Sequence, residues 1–178
     1  SITSKTIYGG IGNKEWYSVA GGESAFLAFN DPSNPRLTYG TSIMGFISAH
    51  NKTTGMSKDI MAYPSIGLGS IPIDQKYRFN WNAPLTHNNL NPSVLYHGAN
   101  KLLRSDNGGL QWTEISPDLT RNDSSRQGDT GLPFTREAAG AEVYNTISYI
   151  ATSPYEESVI WVGSDDGLVH VTQDEGQT

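Results

Sequence analysis

The sequence predicts an all-β protein assembled from a repeated unit of strands and tight turns. Nineteen Gly and nine Pro among 178 residues, with few long apolar runs, suit a turn-rich sheet protein. A loop is written twice: Ser105-Asp106-Asn107-Gly108-Gly109-Leu110-Gln111-Trp112, and Thr172-Gln173-Asp174-Glu175-Gly176-Gln177-Thr178. A Pro-containing turn, a short strand ending in an aromatic, and a Gly are written three times, around Tyr39, Tyr96 and Trp161. Recurrence at a fixed period sets the architecture before any single residue does.

The twice-written loop explains its own residue types. Asn107 and Asp174 can accept from backbone N–H groups further along and lock a turn. Gly109 and Gly176 supply the positive φ that other residues adopt at a cost. Trp112 is a large apolar body able to tuck beneath the turn. Ser105 and Thr172 are the hydroxyl positions, 67 residues apart, and Thr178 closes the second copy. The loop reads as a hairpin-folding device without chemistry of its own.

The three aromatics lie 57 and 65 residues apart. A run from Gly45 to Gly55 looks like a decayed copy of the same turn. Strands are expected near 16–20, 25–29, 37–40, 44–49, 78–81, 93–97, 101–104, 111–115, 146–151, 158–162 and 167–172. A unit of this length fits one four-stranded blade of a β-propeller. The reading is one domain over 1–178, with blades at about 1–55, 56–115 and 141–178 and long loops at 55–77 and 116–140. Closed propellers use about 4–8 blades. An open arc of about three is therefore expected, part of a larger propeller. Its open sheet edges would pair with the remainder of that propeller or with neighbouring chains.

Composition narrows the function classes. Without cysteine there is no disulfide and no thiol chemistry. No run of 18 apolar residues exists, so no membrane span is expected. The net charge of −6 is uneven: residues 1–100 carry +2 and 101–178 carry −8. From Glu137 onward there are eight carboxylates and no Lys or Arg, which argues against a nucleic-acid surface there. A solvated acidic face is the plain reading, and a cation or basic-partner site the sharper one. His50, His87, His97 and His170 lack the short spacing of metal ligands, and Gly9-Gly10-Ile11-Gly12 lacks the Lys and helix of a phosphate loop. No metal and no cofactor are expected.

The twice-written loop resembles the Asp-box, or bacterial neuraminidase repeat, of sialidase-like and sortilin-like propellers. Its first copy departs from that pattern at Asn107 and Gln111. Longer phrases narrow the resemblance: Tyr77-Arg78-Phe79-Asn80-Trp81-Asn82-Ala83-Pro84, Leu95-Tyr96-His97-Gly98-Ala99-Asn100, Ser116-Pro117-Asp118-Leu119-Thr120 and Trp161-Val162-Gly163-Ser164-Asp165-Asp166-Gly167. These are similar to secreted bacterial proteins described as sortilin-like or as repeat-containing glycosyl hydrolases, over residues 16–178. The resemblance implies a secreted or cell-surface bacterial location. It does not by itself imply activity, because fold does not determine function.

Residues test the enzyme reading. Sialidases hold the substrate carboxylate with an arginine cluster and use a Tyr activated by a Glu; the aromatic-Arg-Ile-Pro motif is absent, and Tyr77-Arg78-Phe79-Asn80 only echoes it. Xyloglucan-cleaving relatives use two carboxylates across a cleft, for which Asp118, Glu142, Asp165 and Asp166 are the candidates. Glu142 and Tyr144 would face one side if their segment is a strand. Asp118 reads more simply as a cap and Asp165-Asp166-Gly167 as a turn. Arg78, Trp81, Asp165 and Asp166 are candidate ligand contacts, with Arg78 and Trp81 at the barrel mouth readable equally as a stacked structural pair. The expected function is a non-catalytic module binding protein or glycan. The alternatives are a glycoside hydrolase with some catalytic residues elsewhere, and a sortilin-like peptide receptor.

Overall fold

A computed structural model describes residues 12–23, 26–29, 31–65, 70–128 and 142–177. The Gly9–Gly12 run before Gly12, most of the second half of the 116–140 loop, and Thr178 lie outside them. The described residues form three antiparallel sheets and no α-helix. The first sheet is β1 (Leu27–Ala28), β2 (Leu37–Thr41), β3 (Ile47–Asn51) and β4 (Ser57–Asp59). The second is β5 (Leu85–His87), β6 (Leu95–Gly98), β7 (Leu102–Ser105) and β8 (Thr113–Glu114). The third is β9 (Ile147–Thr152), β10 (Ile160–Ser164) and β11 (Val169–Thr172). Within each sheet, strands neighbour one another in chain order. The all-β expectation therefore holds, with three sheets in an open arc.

The sheets pack face to face. Tyr39, Ile47 and Ile60 of the first close on Leu85 and Leu95 of the second. Val94, Tyr96 and Leu102 of the second close on Ile147, Ile150, Ile160 and Val162 of the third. Burying each of these side chains contributes about 1.5–3 kcal/mol, so the two junctions are the main source of cohesion. The first strands β1, β5 and β9 lie side by side along the inner rim. Tyr149 on β9 reaches the ring of Phe26, beside β1, at 6.2 Å. A third cluster of Phe79, Ala83, Ala99 and Leu103 surrounds His97, which stacks on Phe79 at 4.9 Å.

The two loops share one hydrogen-bond scheme. Ser105 Oγ accepts from Gly109 N at 2.9 Å, and Asn107 Oδ1 accepts from Gln111 N at 2.9 Å. Thr172 Oγ1 accepts from Gly176 N at 2.8 Å, and Asp174 Oδ1 accepts from Gln177 N at 3.0 Å. In each copy the hydroxyl also donates to the Asn or Asp side chain. The device also reaches beyond its own sheet. Gly109 and Gly176 have φ of 84° and 90°, and a Cβ on either would also run into the preceding sheet's end, at Ile60 Cδ1 and at the Ile115 carbonyl. Trp112 Nε1 donates to Ile60 O at 2.9 Å. Each loop thus pins its sheet to the one before it. The Gly45–Gly55 run forms a simpler turn, in which Asn51 Oδ1 accepts from Thr53 N and Thr54 N.

Several strand expectations are corrected. No strand forms at 16–20: Gly21 N donates to Ser48 Oγ and Gly22 N to Thr41 O, so this segment crosses the first sheet's face instead of pairing along its edge. Residues 78–81 are unpaired, because Arg78 N donates to the Asn100 side chain and Trp81–Asn82 turns before Pro84. The stretch at 44–49 starts as a 3-10 turn, Ile43–Gly45, with Met44 at φ 62°. Strands β4 and β5 carry no apolar alternation and were not expected.

Candidate functional site

The chemistry-bearing side chains gather where the second sheet meets the third. Arg78 is buried, and its guanidinium reaches across the junction. There Nη2 donates to Asp118 Oδ2 at 2.7 Å and Nε to the Asn145 carbonyl at 3.2 Å. Asn100 Nδ2 donates to the same Asp118 oxygen at 2.9 Å. The other Asp118 oxygen accepts from Thr120 N at 3.0 Å, so Asp118 caps the turn that opens the long loop. That loop is tied to the third sheet by Arg121, whose N donates to Asp166 Oδ2 at 2.7 Å.

Asp165 and Asp166 form the turn between β10 and β11, yet both side chains reach inward. Asp165 accepts from Thr146 N at 3.0 Å and from Asn80 Nδ2 at 3.1 Å. Asp166 accepts from Asn145 Nδ2 at 2.6 Å and from the Ser164 hydroxyl. Asn145 sits at φ 61°, a conformation Asn tolerates better than most residues, and links Arg78, Gln127 and Asp166. The four expected residues Arg78, Asp118, Asp165 and Asp166 therefore belong to one partly buried network. Asn80, Asn100, Asn145 and Thr146 complete it; the first two stand within the resemblance-bearing phrases, and Asn145 and Thr146 carry no sequence signal beyond their polarity.

Electrostatics separates the three carboxyls. Burial raises Asp118, but donors from Thr120, Asn100 and Arg78 outweigh it and hold the group below the usual carboxylate range. Burial likewise opposes the ionised form of Asp166, and Ser164, Arg121 and Asn145 reverse it downward. At Asp165 burial prevails over the Thr146 bonds, with the charge of Asp166 adding to it, and the group is pushed up.

The remaining expected residues lie apart. Glu142 and Tyr144 are not in a strand, so the alternation that would set them side by side does not exist; β9 begins only at Ile147. The Tyr144 ring packs under the Arg126 guanidinium at 5.4 Å. Trp81 is half-buried in its turn and does not stack on Arg78, which is engaged with Asp118. Ser105, Asn107, Gly109, Trp112, Thr172, Asp174 and Gly176 hold the two loops as described above. No cluster of metal-ligating side chains occurs among the described residues.

Two clefts flank these junctions. One of about 650 Å³ opens between the outer turns of the first and second sheets. Its polar wall includes Asp31, Ser33, Asn34, Asn51 and Asn107, and exposed Met56 and Leu110 stand beside it. Another of about 270 Å³ lies between the second and third sheets, against Leu102, Ile115, Asp118 and His170. Among the described residues no helix is long and apolar enough to cross a membrane.

No family model and no curated protein matches the chain. Solved structures do. An ancestral GH74 enzyme aligns over 90% of this chain and 18% of its own, at 14% identity and a TM-score of 0.50. The GH74 xyloglucanase from Xanthomonas campestris aligns over 85% of this chain and 22% of its own, at 16% identity and a TM-score of 0.49. The Niastella koreensis GH74 enzyme aligns over 85% and 21%, at 19% identity and a TM-score of 0.45. The chain thus spans about a fifth of the length of the structures it matches. At such identity the likeness to the ancestral enzyme speaks to fold alone, and that fold is the β-propeller.

Proposed function

We propose that this chain is a module of a secreted or cell-surface bacterial Asp-box propeller that binds protein or glycan without cleaving it. The observation that carries this reading is the state of the carboxylates. Asp118, Asp165 and Asp166 each spend both oxygens on donors of their own chain. Glycoside hydrolysis places two carboxyls on either side of one scissile bond. A network closed on itself instead fixes a loop to a sheet. The cleft between the first two sheets falls within the usual volume of ligand sites, and its amides and hydroxyls suit a hydroxylated or peptide ligand.

Calorimetric titration with a panel of neutral and acidic oligosaccharides and of extended peptides tests this. Binding weakened by Asn34→Ala, with no release of reducing ends, is expected. Turnover of any glycan that disappears in Asp165→Asn, while the fold is retained, would sink the proposal. One observation favours that second reading, a glycoside hydrolase with further catalytic residues outside this chain. Asp165 and Asp166 are displaced in opposite directions, the pattern that separates an acid from a base.

A further inference from the structure

Two polar groups in the wall of the cleft between the first two sheets are buried and yet hold bonding capacity that their own chain does not use. Tyr39 is 3% exposed and Asp31 is 6% exposed, and both line this cleft of about 650 Å³. The Tyr39 hydroxyl makes no hydrogen bond among the described residues. It comes up beneath the 106–108 turn of the second sheet, where a Cβ on Gly108 would stand 3.0 Å from it. Asp31 spends Oδ1 on Ser33 N at 2.8 Å and on the Ser33 hydroxyl at 2.6 Å. Its Oδ2 has no donor among the described residues. Polar groups this deeply buried are nearly always satisfied, so two together in one cleft point to something that enters it.

We propose that Asp31 and Tyr39 head a pocket for a basic side chain, an arginine or lysine, of a protein partner. This rests on the chain being a binding module, and it selects protein over glycan as what is bound. A carboxylate oxygen can only accept, so its partner must donate, and a charged donor makes the stronger bond. Holding a carboxylate out of water without a counter-charge is costly, and an incoming cation offsets that cost. Burial, and then the charge of Asp31, raise the Tyr39 phenol above its usual range, so it stays neutral and offers lone pairs to the same cation. Leu37, Ala49 and Ile60 line the wall nearby, with exposed Met56 and Leu110 beside them. Such a lining suits the aliphatic stem of an arginine or lysine, whose charged head alone needs polar company.

A sugar finds less to hold. Tyr39 is the one aromatic residue lining the cleft among those described, and its buried ring stands edge-on to His87 at 5.9 Å. It offers no open face on which a sugar ring could stack. Two further charges border the cleft. Asp106 adds to the negative side, although Arg104 Nε holds its Oδ1 at 2.9 Å. Lys58 opposes it, exposed on β4.

Calorimetric titration of the full-length polypeptide with a short capped peptide carrying one central arginine tests the pocket. Its citrulline isostere, which keeps the shape and loses the charge, is the comparison. The expected result is binding of the arginine peptide that falls about tenfold or more with citrulline or with Asp31→Asn, and about threefold with Tyr39→Phe. Lys58→Ala should strengthen that binding or leave it unchanged. Because the Tyr39 hydroxyl bonds to nothing in its own chain among the described residues, Tyr39→Phe should leave the urea unfolding midpoint unchanged or raise it. A lowered midpoint would make the hydroxyl structural and overturn the proposal. Equal binding of the two peptides, binding of neither, or a neutral oligosaccharide whose affinity falls with Asp31→Asn would overturn it as well. Glycan turnover would instead sink the non-cleaving reading, while an arginine peptide that depends on Asp31 would still establish the pocket.

Discussion

Asp118→Ala removes the carboxylate that faces Arg78 at 2.7 Å and leaves a guanidinium whose side chain is 6% exposed. Two weaker acceptors remain to it, the Asn145 carbonyl at 3.2 Å and the Thr120 hydroxyl at 3.3 Å. Breaking a buried pair from one side costs about 3–5 kcal/mol. The Asp118 side chain is 23% exposed, so water can reach part of the gap and the lower end applies, about 3 kcal/mol. With a urea slope of about 2 kcal/mol/M, the unfolding midpoint falls by about 1.5 M, read from tryptophan fluorescence. The double variant Arg78→Met, Asp118→Leu strands no charge and should recover most of that loss. Acid adds a second reading. The folded carboxyl is lowered, so its contribution is present above about pH 4 and is lost as pH falls through the lowered value. Asp118→Ala should flatten the stability profile in that window. A midpoint shift under about 0.5 M, about 1 kcal/mol, would refute the network as the tie between loop and sheet. Lost turnover at unchanged stability would instead make Asp118 catalytic.

Other consequences can be measured in the same way. Burial pushes the fully buried His97 down to about 4, against opposing backbone groups at Pro84 and Gly45. Its neutral form is the one that fits, so stability is full above about pH 6.5 and declines by about 3 kcal/mol as pH drops toward 4. A flat denaturation midpoint across that window, once the titrating carboxylates are accounted for with His97→Phe, would contradict it. Gly109→Ala meets both a φ of 84° and the Ile60 side chain, and should cost about 2–3 kcal/mol in thermal melts. Adding Ile60→Val, which deletes the clashing Cδ1, should return part of it, whereas strict additivity would deny the contact. Ser105→Ala strands the buried Gly109 N–H and should cost about 1–3 kcal/mol. Thr172→Ala, at a partly exposed site, should cost less, and the reverse order would show that burial is not the controlling term.

The turns were legible because their causes are local. A hydroxyl, an amide or carboxylate two residues on and a Gly two further specify the loop from within one short segment, so Ser105 to Gly109 and Thr172 to Gly176 could be read directly. The candidate site was legible only as residue types. Arg78 and Asp118 stand 40 residues apart, and Asn80 and Asp165 stand 85 apart. Nothing local announces which distant partner will answer a given charge. The Glu142–Tyr144 pairing failed for the same reason, since its alternation required a strand that starts only at Ile147.

By itself the sequence determined the all-β class, the threefold recurrence of its unit and the chemistry of its tight turns. Turn propensity and hydrophobic spacing act over a few residues, and repetition makes them visible. Tertiary structure alone decided that the loop glycines press against the preceding sheet, that three carboxyls are consumed by their own chain, and that Tyr39 and Tyr96 are covered while Trp161 is open. These depend on which faces meet, and that is settled by packing across the whole arc.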